Sequence, residues 1–325
     1  MRKRLKRHKI VYMGGNLIGC MCLRELLRMR IIDVVAVVGR YQDNGSVVDP
    51  RAWNASLLRV AMQKGLPFLQ PRDLRDPANV ALLMEQGRPD FILSVQYDHI
   101  PGPELMQWPT RGCINMRYAK LPSNRGFQPI PWALVDEQPV GVTMHWMDEK
   151  RDVGDIIASD DVDVLPDDTA HSLYFKVTQV AFQMFKHVFP QVVAGEAPRI
   201  PPSGNGHTFY GEDYPYNRTI DWSWDEQKID RMVRALTFPA SPSARTYFQD
   251  MELEVLNPVD IMVGEKNGHK PGEIVEITDK GLVVQSAGHR VLISKVRINR
   301  TLLMDAVKFS QQFDVKVGDI LKSSE

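Results

Sequence analysis

Short apolar runs alternate with longer amphipathic stretches through the first half of the chain. The runs at residues 10–13, 31–38, 67–69, 91–95 and 113–116 are bounded by turn residues and rich in Val and Ile, which predicts buried strands. Between them, residues 17–29, 55–64 and 79–86 carry apolar side chains at helical spacing. Strand and helix alternating in this way predict an α/β fold with a parallel-rich, doubly wound sheet. A strand over 140–147 and an extended stretch over 155–164 follow. A long amphipathic helix then begins near Thr169, with Leu173, Val177, Val180, Met184 and Val188 on one face and Pro190 expected to end or kink it.

The pattern changes after this helix. Residues 196–207 are rich in Pro and Gly and read as a linker, which divides the chain into a first domain over 1–195 and a second over 208–325. In the second, a helix is expected over 222–236, with Asp225 and Glu226 in its first turn and Arg231 and Arg234 later, as the macrodipole favours. Short β runs at 244–248, 253–263, 272–278, 281–286 and 291–296 are separated by turn signals at 266–268, 279–281 and 287–288. They predict a small C-terminal antiparallel β-barrel of OB-like type.

Composition excludes several classes. With 325 residues, 43% hydrophobic and 25% charged, the chain is that of a globular protein of about two domains. The formal net charge is zero, so bulk charge selects no polyanion. The three cysteines, Cys20, Cys22 and Cys113, form neither a disulfide framework nor a zinc pattern, and no metal site is expected. They read as core thiols of a reducing, cytoplasmic compartment. No apolar run reaches the ~18 residues that span a bilayer. The basic segment at residues 1–9 precedes too short an apolar run for a signal peptide and reads as a solvated leader. The spacing of Gly14, Gly15 and Gly19 does not meet the dinucleotide-binding pattern.

Chemistry concentrates between residues 113 and 155. The strand at 113–116 ends on Asn115 and Arg117, and a loop with Pro122 and Gly126 follows. The next strand delivers Asp148 and Asp152 into a Gly-punctuated turn. Active sites of open α/β sheets are built on such strand ends and loops. The amide of Asn115 suits stabilisation of an oxyanion formed at an attacked carbonyl. The carboxylate of Asp152 suits proton handling at an attacking amine. Turn capping is the plainer role for Asp152 and Asp155.

Asn115, Leu121-Pro122, Arg125-Gly126, Gly141-Val142-Thr143, Met147-Asp148 and Asp152-Val153-Gly154-Asp155 together resemble the formyltransferases that use 10-formyltetrahydrofolate, the group of methionyl-tRNA formyltransferase and the sugar N-formyltransferases. Ile220-Asp221-Trp222, Arg234-Ala235-Leu236 and Pro271-Gly272-Glu273-Ile274-Val275 resemble that family's C-terminal domain, so the resemblance spans nearly the whole chain. It implies a doubly wound formyltransferase-type N-terminal domain followed by the small barrel. It also implies catalytic roles at Asn115 and Asp152. At the place of the family's catalytic histidine stands Arg117, and Ala119 stands where the family often has Ser. Arginine stays protonated and is no general base, although it can support an oxyanion or bind an anion. It would also pair with Asp152, holding that carboxylate ionised and less basic. Proton transfer would then fall to Asp152, His99 or His145.

The resemblance implies 10-formyltetrahydrofolate as co-substrate, with contacts carried over by position to Tyr97, His99 and Ile100 in the loop after the strand at 91–95, and to Leu121 and Asp148. Arg125, Tyr210 and Tyr216 are expected on the acceptor side, the tyrosines by stacking on a nucleotide base. From residue 207 on, fifteen Lys and Arg face eighteen Asp and Glu, which does not suit tRNA, whose affinity rests on phosphate contacts. The expected activity is N-formyl transfer to a small-molecule amine such as a nucleotide-linked amino sugar. The alternatives are a catalytically impaired homologue that binds a ligand or partner, and methionyl-tRNA formylation. No membrane partner is expected, and self-association stays open.

Overall fold

The computed structural model describes residues 7–99, 101–149, 152–204, 208–209, 214–239, 241–263 and 268–324. The first six residues of the basic leader, Ile100, Tyr210 and the turn residues Lys266 and Asn267 lie outside the described residues. In chain order the elements are β1 (His8–Gly14), α1 (Asn16–Leu26), β2 (Ile32–Val38), α2 (Leu57–Gln63), β3 (Phe68–Leu69), α3 (Pro77–Met84), β4 (Phe91–Val95), α4 (Pro103–Gln107), β5 (Gly112–Arg117), β6 (Arg125–Gly126), α5 (Pro129–Val135), β7 (Gly141–Trp146), β8 (Ile156–Asp161), α6 (Ala170–Ala194) and β9 (Thr208–Phe209). They continue with α7 (Glu226–Ala235), β10 (Ala244–Phe248), β11 (Met251–Val255), β12 (Val259–Met262), β13 (Ile274–Ile277), β14 (Leu282–Gln285), β15 (Arg290–Ile293), β16 (Lys295–Ile298), β17 (Leu302–Asp305) and α8 (Ala306–Gln312).

The chain divides into two compact units. The first comprises Met1–Gly126, Pro139–Asp163 and Phe175–Phe209; the second comprises Phe127–Gln138, Val164–Tyr174 and Tyr210–Glu325. In the first unit a seven-stranded sheet runs in the order β3-β2-β1-β4-β5-β7-β8. The strands from β3 to β5 pair in parallel, and β7 and β8 add antiparallel at one side. Parallel strands covered on both faces need continuous apolar runs, and every residue of β4 is buried. Alternate residues Val11, Met13, Ala36, Val38 and Ile92 build one core with Val80 and Leu83 of α3, Leu105 of α4 and Trp108. The chain steps outward from β1 to β2 and β3, then returns to place β4 on the other side of β1. That makes a topological switch point between β1 and β4, where the crevice of an open α/β sheet forms.

Of the two outcomes expected at Pro190, ending or kinking the helix, the first does not occur: the helix from residue 170 runs on to Ala194. Pro190 forfeits one backbone bond, but Phe185 and Phe189 before it and Val192 and Val193 after it are buried and hold the last turn in place. Arg111 donates to the terminal carbonyls of Val192 and Val193 at 3.2 and 2.7 Å, satisfying groups that a helix end leaves open.

The second unit carries two four-stranded antiparallel sheets, β10-β11-β16-β17 and β12-β15-β14-β13. Two runs expected as single strands are each split. Residues 253–263 fall into β11 and β12 around Pro258, which cannot donate to a ladder, and 291–296 falls into β15 and β16, which belong to different sheets. Asp225 is the N-cap of α7, accepting from the Lys228 N–H at 2.7 Å, rather than a first-turn residue. Helix α5 lies in a stretch read from sequence as loop. Its Pro129 and Pro131 fall within the first turn, where a missing N–H costs nothing.

Candidate active site

Strands β5 and β7 pair antiparallel with Asn115 opposite His145 and Arg117 opposite Thr143. Directly opposed residues share a face, and so do residues two apart on one strand. Asn115, Arg117, Thr143 and His145 therefore project from one face of the first unit's sheet. The turn between β7 and β8 brings Asp152 onto the same group. Asp152 sits at φ 58°, a left-handed backbone unusual for a non-glycine residue. Two residues further on stands Gly154, whose position leaves no room for a Cβ against the Trp146 carbonyl.

The Asp152 carboxylate has one bonded partner and one close neighbour. Oδ2 accepts from Arg117 Nη1, and Oδ1 lies 3.7 Å from His145 Nε2. Arg117 Nη2 donates to the carbonyl of Gly126 at 2.7 Å, so the guanidinium ties the Asp152 turn to β6. Arg117, His145 and Asp152 are all buried. A buried ion pair of this kind adds little net stability, but removing one partner leaves a charge unpaired in the interior. His145 Nε2 lies 3.2 Å from Asn115 Nδ2, and its Nδ1 lies 2.8 Å from the Trp146 carbonyl oxygen. Burial pushes the imidazole down to about 4; the Trp146 hydrogen bond works against that shift and the nearby Arg117 charge adds to it. The ring is thus neutral at pH 7.

The other residues singled out from sequence are dispersed around this group. Tyr97 and His99 follow β4, the parallel neighbour of β5, with ring centroids 5.6 Å apart. Tyr97 packs against the core cluster that includes Trp108, and its buried hydroxyl finds no partner among the described residues. Leu121 is buried, and its N–H donates to Thr143 Oγ1 at 3.1 Å. Asp148 is exposed and accepts from the Glu149 N–H at 2.6 Å. It leaves β7 at the edge where β5 begins, the opposite end from Arg117. Arg125 lies on β6, which pairs with β9, and its Nε is buried without a partner among the described residues. Tyr216 belongs to the second unit. There it contacts Trp132 and Trp224, donates to Asp136 Oδ1 at 2.8 Å and has Lys228 over its ring at 4.5 Å.

Arg40, which no motif marks, sits at the switch point. It donates to Asn16 Oδ1 at 3.1 Å, to the Gln96 carbonyl at 3.2 Å and to Asp98 Oδ1 at 2.8 Å. It thereby clips the start of α1 to the loop after β4. The signal for it in sequence is its place directly after a buried strand and Gly39. Among the described residues no cluster of His, Cys, Asp and Glu has the makings of a metal site, and no helix is long and apolar enough to cross a membrane.

Residues 10–189 match the formyl transferase family model, and residues 215–314 match the model of the formyl transferase C-terminal domain. A methionyl-tRNA formyltransferase of Symbiobacterium thermophilum is 30% identical over 314 residues, which cover 95% of this chain and 94% of the relative. Among solved structures, an N-formyltransferase from Helicobacter canadensis in complex with folinic acid and dTDP-3-aminofucose aligns with a TM-score of 0.67 at 20% identity, over 88% of this chain and 98% of that one. HypX from Aquifex aeolicus in complex with tetrahydrofolic acid aligns at 0.61 and 16% identity, over 97% of this chain and 49% of that one. The two structural likenesses show a shared fold.

Proposed function

Because the chain belongs to the formyl transferase family, we propose that it moves a formyl group from 10-formyltetrahydrofolate to the amine of a small molecule, a nucleotide-linked amino sugar in particular. The observation that carries this reading is the convergence of half-buried Asn115 and buried Arg117 and His145 on one sheet face with buried Asp152 from the adjoining turn. The co-substrate would supply the formyl carbon: the acceptor nitrogen bonds to it, the bond to N10 breaks, the amine loses a proton and tetrahydrofolate leaves carrying one. Tyr97, with a packed ring and a buried hydroxyl that has no partner among the described residues, fits a flat partner rich in hydrogen-bonding groups. His99, Ile100, Leu121 and Asp148 are assigned beside it by the family correspondence. Asn115 directs an N–H at the formyl oxygen as negative charge develops there, an effect of about 3–4 kcal/mol. Asp152 receives the amine proton. Arg117, standing at the family's histidine position, holds Asp152 and the Gly126 carbonyl in place.

The acceptor assignment is supported by the acidic excess after residue 207 and by the aminofucose nucleotide bound to the Helicobacter relative. Arg125, Tyr210 and Tyr216 are assigned to its recognition. The 30% identical methionyl-tRNA formyltransferase supports a second reading, tRNA formylation.

The test supplies 10-formyltetrahydrofolate with a panel of nucleotide-linked amino sugars and with methionyl-tRNA, and follows released tetrahydrofolate. Turnover with an amino sugar is expected, with kcat lowered about 10²–10³-fold by Asn115→Ala and KM little changed. Turnover with methionyl-tRNA alone would transfer the assignment to the second reading. Release unaffected by Asn115→Ala would remove that residue from the mechanism.

A further inference from the structure

His145 is buried one strand away from Asn115, and its hydrogen bonds determine its tautomer. The Trp146 carbonyl oxygen 2.8 Å from Nδ1 can only accept, so Nδ1 carries the proton. The ring is neutral in its buried setting, which leaves Nε2 bare. A bare Nε2 at 3.2 Å from Asn115 accepts from the amide NH2. The flipped amide would set its oxygen against the imidazole lone pair, acceptor to acceptor, with Asp152 Oδ1 already 3.7 Å from the same nitrogen. One orientation of the Asn115 amide is therefore selected. The NH2 group has two N–H bonds, and His145 takes one of them.

We propose that His145 is the positioning residue of this site: by accepting one Asn115 N–H it locks the amide so that the second N–H is presented to the formyl oxygen. This rests on the formyl-transfer reading above. It gives His145 a role distinct from carrying a proton, because its only bare nitrogen is occupied by Asn115. It also explains why a neutral, buried histidine sits beside an ion pair that does not use it as a charged partner. An oxyanion donor is effective only when oriented before the charge appears, and a side-chain amide otherwise turns over between two nearly isosteric orientations.

The experiment has a structural arm and a kinetic arm. In the intact wild-type protein at pH 7, long-range ¹H–¹⁵N correlation spectra of the histidine rings should show His145 as the Nδ1–H tautomer with Nε2 unprotonated. A proton on Nε2 would overturn the proposal whether or not an acceptor amine has been found, so its failure is separate from failure of the functional reading. In the kinetic arm, with whichever panel amine turns over, His145→Leu should lower kcat about 10²–10³-fold with little change in KM. His145→Gln, whose side-chain oxygen can accept the same N–H, should restore most of the loss. The double variant Asn115→Ala/His145→Leu should be no slower than Asn115→Ala alone, as expected of two residues acting through one hydrogen bond. Losses that multiply in the double variant, or a Gln variant as slow as the Leu variant, would show that His145 acts by another route.

Discussion

One Asp152 oxygen accepts from a permanent cation, Arg117, and the other lies 3.7 Å from a neutral imidazole, His145. The two neighbours respond differently to acid. An unfolded histidine titrates near 6.5, whereas His145 in the folded chain titrates near 4, chiefly because burial disfavours its charged form. Between these values the unfolded chain binds a proton that the folded chain refuses. This group therefore costs no stability above about pH 6.5, and stability falls as the pH is lowered from there to about 4. The total is on the order of 3 kcal/mol. Urea denaturation at pH 7 and pH 4.5 should show a larger loss for the parent than for His145→Leu, the variant serving to subtract the carboxylates that titrate in the same range. Equal losses in both proteins would mean that His145 is hydrated in the native state. Asn115, Arg117 and Asp152 are legible as a group from sequence because each stands at a strand end or in a Gly-punctuated turn. His145 is legible as a strand histidine and a candidate proton carrier, but the face it takes is not, because alternation does not say which face is inward until the pairing of β5 with β7 is known.

At the scale of elements, the parallel strands are the most readable part of the chain, since burial on both faces writes them as unbroken apolar runs. Elements whose existence depends on a partner are not. The two-residue strands β6 and β9 pair with each other across more than eighty residues, and α5 is masked by prolines harmless in its first turn. The turn from β7 to β8 is legible as a turn, but its tightness is not. Trp146 N–H donates to the Asp155 carbonyl at 2.8 Å across it, and Gly154 packs against the Trp146 carbonyl with no space for a side chain. Gly154→Ala must push the turn off the strand end and carry Asp152 with it. Overpacking of this kind costs about 1–3 kcal/mol. We expect that loss in denaturant unfolding together with a fall in kcat, since the carboxylate would no longer meet Arg117. A variant with parental stability and turnover would mean that the turn yields without displacing Asp152.

At the scale of the whole chain, the competing acceptors differ in charge. A tRNA acceptor demands a surface of unpaired cations, because phosphate contacts supply most of the affinity and make it fall steeply with salt. The chain has a formal net charge of zero, with an acidic excess after residue 207. The arginines of the second unit's first sheet are largely consumed internally. Glu254, nearly fully buried, accepts from Arg218 at 3.3 Å and from Arg297 at 2.8 Å, while Glu252 accepts from Arg245 at 2.9 Å and from Arg300 at 3.1 Å. Burial disfavours the charge of Arg218, the nearby Glu252 and Glu254 carboxylates favour it, and the net effect lowers its pKa. An arginine so placed would have to break a native pair to reach a phosphate, and breaking such a pair costs more than an exposed contact returns. Binding of initiator tRNA, followed by fluorescence anisotropy from about 50 to 200 mM salt, should therefore be weak with a shallow salt slope. Tight binding with a slope corresponding to six or more phosphate contacts would show that cations elsewhere on the chain form the interface. In that case the acceptor of the Asn115 site would be the methionyl amine of a charged tRNA rather than an amino sugar.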